Sequence, residues 1–358
     1  MNNNEGKTPV DVLVTGSSGH LGAALMLALP TMGHHPVGVD IIPSETTTHV
    51  GDISDRAFVS SVIGQHPTIQ HIVHAATLHK PHVGSHRAQD FIDTNVTGTL
   101  VMLEAAATLV ASSSSDSSST SPSTSPSTSL RSFVFVSTTS AFGAALSPAA
   151  GKPAVWIHEG VNPVPKNIYG ATKCAAEDLC RLAASQHGLP VVVLRTSRFF
   201  PEEDDDEDRR AALADENLKV LELAYRRCDI ADVVSACRRA MLRAADLGWA
   251  KFIVSAPPPF PNDAETLRLL DSDPAQVMRR VCAAAGPVFD AKGWKFLARI
   301  DRVYDSSRAV EVLGWEPEYT FAKTVEAVGE GREWRSELAL RVGKKGYHAE
   351  SHGVYTKR

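Results

Sequence analysis

The segment that most constrains this chain is the strand-like run Val10–Val14, followed at once by TGSSGHLGAAL. This places Gly16, Gly19 and Gly22 at three-residue intervals where a strand gives way to a helix. Glycines so spaced permit a tight turn, let backbone approach a pyrophosphate and let the helix pack closely, while the helix N-terminus favours negative charge. Ser18, His20 and Leu21 complete this expected cofactor turn. The next strand-like run, HPVGVD, ends at Asp40, eighteen residues beyond Gly22, near the spacing at which a carboxylate accepts hydrogen bonds from ribose hydroxyls. A carboxylate there repels a 2′-phosphate, so NAD is expected rather than NADP. Asp52 and Ile53 in GDISD, and His74, Ala75 and Ala76 in HAAT, fall at further strand ends, where parallel sheets meet their ligands.

Beyond the turn the first half alternates apolar runs with helical patterns, through TIQHIVHAA, FIDTNVTGTLVMLEAAATLV and RSFVFVST. Strands separated by helices of this length indicate βαβ crossovers, hence an α/β fold with a Rossmann-type, doubly wound parallel sheet. The expected division is a dinucleotide-binding domain over 1–195, a smaller substrate-binding cap over 196–340 with some segments returning to the sheet, and a tail over 341–358. Residues 111–130 interrupt this plan. Twelve of those twenty residues are serine, which leaves little to bury in exchange for ordering the backbone, so a disordered insertion after a helix ending near Val110 is expected. The acidic run Glu202–Asp208 reads as a solvated loop.

Composition excludes several classes. Hydrophobic residues make up 43% and charged residues 22%, as in a globular protein, and 36 Lys plus Arg against 41 Asp plus Glu leave a net charge of -5. That balance offers no electrostatic reason to bind nucleic acid or an anionic membrane. The first residues lack the charged and apolar regions of a secretory signal, and five cysteines without a CxxC suit reduced thiols. A cytoplasmic location is therefore expected. His71, His74, His79, His82 and His86 are irregularly spaced and no Cys or carboxylate set completes them, so no metal site is expected.

In order, TGSSGHLG, Asp40, GDISD, HAAT, NVTGT, FVSTTSAFG, YGATK, VVVLR, CDIADVVSA and YDSSRAVEVLGW make the chain resemble the extended short-chain dehydrogenases/reductases, in their NAD-dependent epimerase/dehydratase branch. The resemblance implies that Tyr169 transfers a proton with a substrate hydroxyl or carbonyl and that Lys173 holds the nicotinamide ribose. Residues four apart share a helix face, so the Lys173 ammonium can favour the ionised Tyr169 phenol. Aligning FVSTTSAFG on Gly143 puts Thr138 at the family's third catalytic position, with Ser137 and Thr139 as neighbouring stand-ins. Asn95 falls where the family keeps an asparagine close to the site, and a structural role fits it equally.

The shared chemistry is hydride exchange at a carbon bearing oxygen, with tyrosine relaying the proton. Thr139 and Ser140 follow Thr138 where the dehydratase branch has Asp and Glu, which disfavours dehydration. Arg198 stands where sugar-nucleotide epimerases typically have asparagine, and it either meets an anionic substrate or pairs with the acidic run. Thr77, His79, Thr139 and Arg198 are expected around the substrate. The expected activity is thus an NAD-dependent epimerase, or related oxidoreductase, acting on a sugar nucleotide or carbohydrate-like molecule. The alternatives are a dehydrogenase or ketone reductase of a small or polycyclic alcohol, and a non-catalytic NAD-binding sensor. Relatives often pair through helices that would include YGATK, so a homodimer is possible.

Overall fold

The computed structural model describes residues 9–115, 130–200 and 207–345. The alternating sequence closes into a seven-stranded sheet. In chain order its strands are β1 (Val12–Thr15), β2 (Pro36–Asp40), β3 (His49–Val50), β4 (His71–His74), β5 (Ser132–Thr138), β6 (Val191–Thr196) and β7 (Trp249–Val254). Their spatial order is β7-β6-β5-β4-β1-β2-β3. β1 pairs in parallel with both β2 and β4, in registers Val12 to Pro36 and Val12 to His71. The chain therefore reverses its direction of travel between β1 and β4. In open α/β sheets such a switch point is where the loops leaving adjacent strands diverge and leave a crevice for ligand.

Four helices matter to this edge: α1 (His20–Ala28), α2 (Arg56–Gln65), α3 (Gly98–Ser115) and α4 (Ile168–His187). α2 is capped by Asp55, whose carboxylate accepts from the amides of Ala57 and Phe58, and α4 starts where Asn167 Oδ1 accepts from Gly170 N at 3.0 Å. α3 runs to Ser115, five residues past the end expected at Val110, because alanine and serine are tolerated in a helix already under way. Residues 116–129 of the Ser-rich segment lie outside the described residues, as do Glu202–Asp206 of the acidic run. Glu207 and Asp208 open the short helix Glu207–Ala212.

The described chain forms two compact units. The first gathers Met1–Ser137, Asn167–Leu194 and Cys237–Lys251, and its core includes Leu13, Val37, Ile72, Val101, Phe133 and Val193. The second gathers Thr138–Lys166, Arg195–Ala236 and Phe252–Arg358. It contains two small parallel pairings, Arg302–Tyr304 with Val155–Ile157 and Arg198–Phe199 with Arg227–Cys228. Its YDSSRAVEVLGW segment is fastened to CDIADVVSA. Fully buried Trp315 donates from Nε1 to Asp232 O and Ser235 Oγ, both at 3.0 Å, and the Asp232 carboxylate accepts from Glu318 N and Tyr319 N. Among the described residues no helix is long and apolar enough to cross a membrane.

Two requirements of the first unit are local. Gly16 has φ +73°, and a Cβ there would lie 2.7 Å from Ala76 N on the neighbouring strand end. At Gly22 a Cβ would fall 1.9 Å from Gly16 O, so α1 packs onto β1 only without a side chain. β4 also carries two inward histidines. His74 is wholly buried, with Nδ1 2.7 Å from Thr15 Oγ1 and Nε2 3.1 Å from Thr99 Oγ1. Thr99 donates its own hydroxyl to Asn95 O, so it accepts from His74 Nε2–H, and the ring is the neutral Nε2 tautomer. Burial lowers the pKa of His74 to about 3 and that of His71 to about 4.

Two predictions follow from this packing. Gly22→Ala should destabilise the chain by about 2–3 kcal/mol in urea denaturation, whereas Gly64→Ala, on α2 with open space around it, should be neutral or stabilising by up to about 1 kcal/mol. Both histidines stay neutral in the fold but protonate in the unfolded chain near pH 6.5. Their stabilising contribution is therefore complete above pH 6.5 and is lost on acidification towards pH 4, by about 1.4 kcal/mol per pH unit for each ring. Urea titrations across that window should show the slope, and His74→Gln should reduce it by one proton's worth; an unchanged slope contradicts a neutral buried ring.

Candidate active site

The carboxyl edge of the first unit's sheet collects most of the expected residues. After Thr15 the chain turns at Gly16, Gly19 N donates to Gly16 O at 3.0 Å, and α1 begins at His20. Gly19 at the N-cap has no capping side chain and the first turn holds no acidic residue. The helix itself thus sets no side-chain cap or carboxylate at the positive end of its dipole, as suits an anion-binding helix start. The His20 side chain is buried and Leu21 is in the core. At the end of β2, Asp40 Oδ2 accepts from Ser18 N at 3.0 Å and Oδ1 from Ile42 N at 2.9 Å. These bonds orient the carboxylate against the glycine turn, and each oxygen retains a second lone pair for a hydroxyl.

The other expected positions have their own local surroundings. Asp52 Oδ1 accepts from Ser54 N in a local turn, and the Ile53 side chain joins the core beneath Gly98. His74 also faces inward, which leaves only backbone at these two positions for a ligand. Ala75 and Ala76 are half-buried beside Gly16 across the switch point. Asn95 sits in a single turn of π-helix, Ile92–Thr97. Its Oδ1 accepts from Thr77 Oγ1 (2.9 Å) and Leu78 N (2.8 Å), and its Nδ2 donates to Leu78 O (2.9 Å) and Thr172 Oγ1 (3.0 Å). The amide is fully engaged and ties the segment after β4 to α4. His79 N donates to His82 Nδ1, and the two rings meet edge to face at 4.5 Å. Among the described residues no group of three or more His, Cys, Asp or Glu could hold a metal ion.

α4 buries Tyr169 and Lys173 one turn apart. The Lys173 ammonium donates to Val136 O at 2.8 Å and lies 4.0 Å from the centroid of the Phe135 ring. Burial pulls its pKa down to about 7, partly offset by the negative charge of Glu177. Val136 lies near the carboxyl end of β5, and Gly16 follows β1, with β4 between them. Strand spacing therefore separates the lysine's anchor from the glycine turn by about 10 Å along one edge.

Of the three consecutive hydroxyls, Ser137 is already committed, donating to Glu177 Oε1 at 2.6 Å. Thr138 opens the second unit, and its Oγ1 accepts from Ser140 N at 3.0 Å; Thr139 is buried beside it. In that unit Arg195 is buried with its guanidinium 4.7 Å from the Phe142 ring centroid, and Arg198 is half-buried in the pairing with Arg227. Glu177, bonded to Ser137, and Lys251, paired with Glu177, are charged groups of the first unit that the sequence reading missed. The signal for Glu177 was present, four residues past Lys173 on the same helix face; Lys251 is distant in sequence and carries no motif.

Comparison with known proteins bears on the family and the fold. The model of the NAD dependent epimerase/dehydratase family matches residues 12–247. UDP-glucose 4-epimerase of Rhizobium meliloti is 29% identical over 192 residues, covering 52% of this chain and 50% of that protein. The chain spans about half the length of the first curated relatives it matches, or less. A dTDP-glucose 4,6-dehydratase of Xanthomonas campestris pv. campestris is 27% identical over 362 residues, covering 90% of this chain and 94% of its own. The solved structure of MoeE5 in complex with UDP-glucose and NAD superposes with a TM-score of 0.56 at 19% identity, covering 89% of this chain and 97% of that one. With a family model matched over more than half its length and the same doubly wound fold, the chain belongs to the NAD-dependent epimerase/dehydratase family.

Proposed function

We propose that this chain is an NAD-dependent epimerase, or a closely related oxidoreductase, acting at a hydroxyl-bearing carbon of a sugar nucleotide or carbohydrate-like substrate. The observation that carries the reading is the pairing on α4 of a buried tyrosine with a buried ammonium one turn later, on the sheet edge that also bears the glycine turn. The residues present fit the dinucleotide: side-chain-free backbone at Gly16 and Gly22, an uncapped helix start at Gly19, and the oriented Asp40 carboxylate. Gly16, Ser18, Gly19 and the first turn of α1 would hold the pyrophosphate, Asp40 the adenosine ribose, and Lys173 the nicotinamide ribose.

Bound NAD supplies a reversible hydride acceptor. Lys173 makes the phenolate of Tyr169 accessible by placing positive charge beside it. Tyr169 takes the proton from the substrate hydroxyl oxygen as its carbon is oxidised and returns it to the carbonyl oxygen on reduction. Thr138, which both donates and accepts, holds that oxygen in line. Asn95 positions rather than contacts, because its amide is spent on Thr77, Leu78 and Thr172. Thr77, His79, Thr139 and Arg198 are the proposed surroundings of the substrate, Arg198 offering a cation to an anionic group. Support for a sugar nucleotide comes from the relatives, which are named as UDP-glucose 4-epimerases and a dTDP-glucose 4,6-dehydratase. The absence of an Asp-Glu pair after Thr138 weighs against water elimination.

Tyr169→Phe should lower turnover at least about a hundredfold while leaving NAD affinity within a few-fold of wild type; wild-type turnover in this variant contradicts the assignment. Asp40→Ala should lose most of its discrimination against NADP in equilibrium binding, and an unchanged preference would remove Asp40 from the ribose site. With UDP-sugars as substrates, turnover without net NADH marks an epimerase, and stoichiometric NADH marks a dehydrogenase.

A further inference from the structure

We propose that Glu177 is a positioning residue for the Tyr169–Lys173 pair. Its carboxylate, clamped between Ser137 and Lys251, is the counter-charge that holds Lys173 as an ammonium. The inference rests on the preceding reading of Tyr169 as the proton relay. Glu177 is 2% exposed. Oε1 accepts from Ser137 Oγ at 2.6 Å at the end of β5, and Oε2 is paired with Lys251 Nζ at 2.7 Å on β7. Two strands thus fix a charged side chain one helical turn from Lys173, in an interior where a carboxylate is retained only when paired and hydrogen-bonded.

The need for it follows from what surrounds Lys173. Its ammonium is sealed from water, with the Val136 carbonyl and the face of Phe135 as contacts, and neither carries a full negative charge. The other titratable groups near it do not help: the Cys180 thiol is held neutral by burial, His74 on β4 is neutral, and Lys251 is a second cation. Glu177 is the carboxylate among these neighbours. Lys173 sits close to losing its proton even beside Glu177. Without that charge the pair would shed the lysine proton first, and Tyr169 would then face a neutral amine and titrate as an ordinary phenol.

The test is a near-ultraviolet phenolate titration of the full chain, in which each protein is subtracted from its Tyr169→Phe counterpart to isolate Tyr169; it needs neither cofactor nor turnover. Glu177→Gln should raise the Tyr169 midpoint by about one to two pH units relative to wild type, and Glu177→Asp should recover at least half of that shift. Lys251→Met removes a competing cation and leaves Glu177 hydrogen-bonded to Ser137 with Lys173 as its remaining counter-charge, so it should keep the midpoint at or below wild type. A purely structural clamp would instead leave the midpoint unchanged in Glu177→Gln, or raise it equally in Lys251→Met, and either result overturns the proposal. Should Glu177→Gln not fold, the direction of the Lys251→Met shift decides. A wild-type Tyr169 that titrates like free tyrosine overturns the proposal together with the proton-relay reading beneath it, whereas failure to turn over UDP-sugars leaves the titration intact.

Discussion

The candidate site depends on keeping a positive charge inside an apolar sheet edge. Taking an ammonium out of water is costly, and a protein keeps one only if it supplies a carbonyl, a π-face or a counter-charge. Lys173 has the Val136 carbonyl and the Phe135 ring, with the Glu177 carboxylate one turn away. Helix α4, which carries both charged groups, is held at the sheet by Asn95 through Thr172 and by Ser137 through Glu177. The chemistry proposed for Tyr169 draws on this arrangement, because a phenol acts as a base near neutrality only beside a charge the fold has already stabilised.

The glycine turn obeys a different constraint, steric rather than electrostatic. Gly16 and Gly22 bring strand, turn and helix within a carbon atom's reach of one another, and the switch between β1 and β4 opens beside them. The same absence of side chains that permits this packing leaves the start of α1 uncapped. One geometric demand thus yields both a tight fold and a place for a pyrophosphate.

Sequence alone disclosed the local features. The strand, glycine turn and helix, the carboxylate closing β2 and the Tyr169–Lys173 spacing are each set within a few residues, and so are legible as patterns. What it left unread depended on which way a side chain points or on partners far along the chain. His74 and Ile53 lie at strand ends, yet their side chains turn into the core. Asn95 makes four hydrogen bonds to three residues spread from Thr77 to Thr172, and Lys251 meets Glu177 across 74 positions. Within the second unit, the bonds from Trp315 and Asp232 explain why two late motifs occur together, a link their separate spacing does not reveal.

The most direct measurement is a crystal structure of the full chain grown with NAD. The expected result is pyrophosphate against the first turn of α1, adenosine ribose on Asp40, and the nicotinamide ring at the carboxyl edge beside Tyr169 with its ribose on Lys173. A dinucleotide bound away from the β1–β4 switch point, or a Tyr169 hydroxyl directed away from the ring, would contradict the assignment of this edge as the reaction centre.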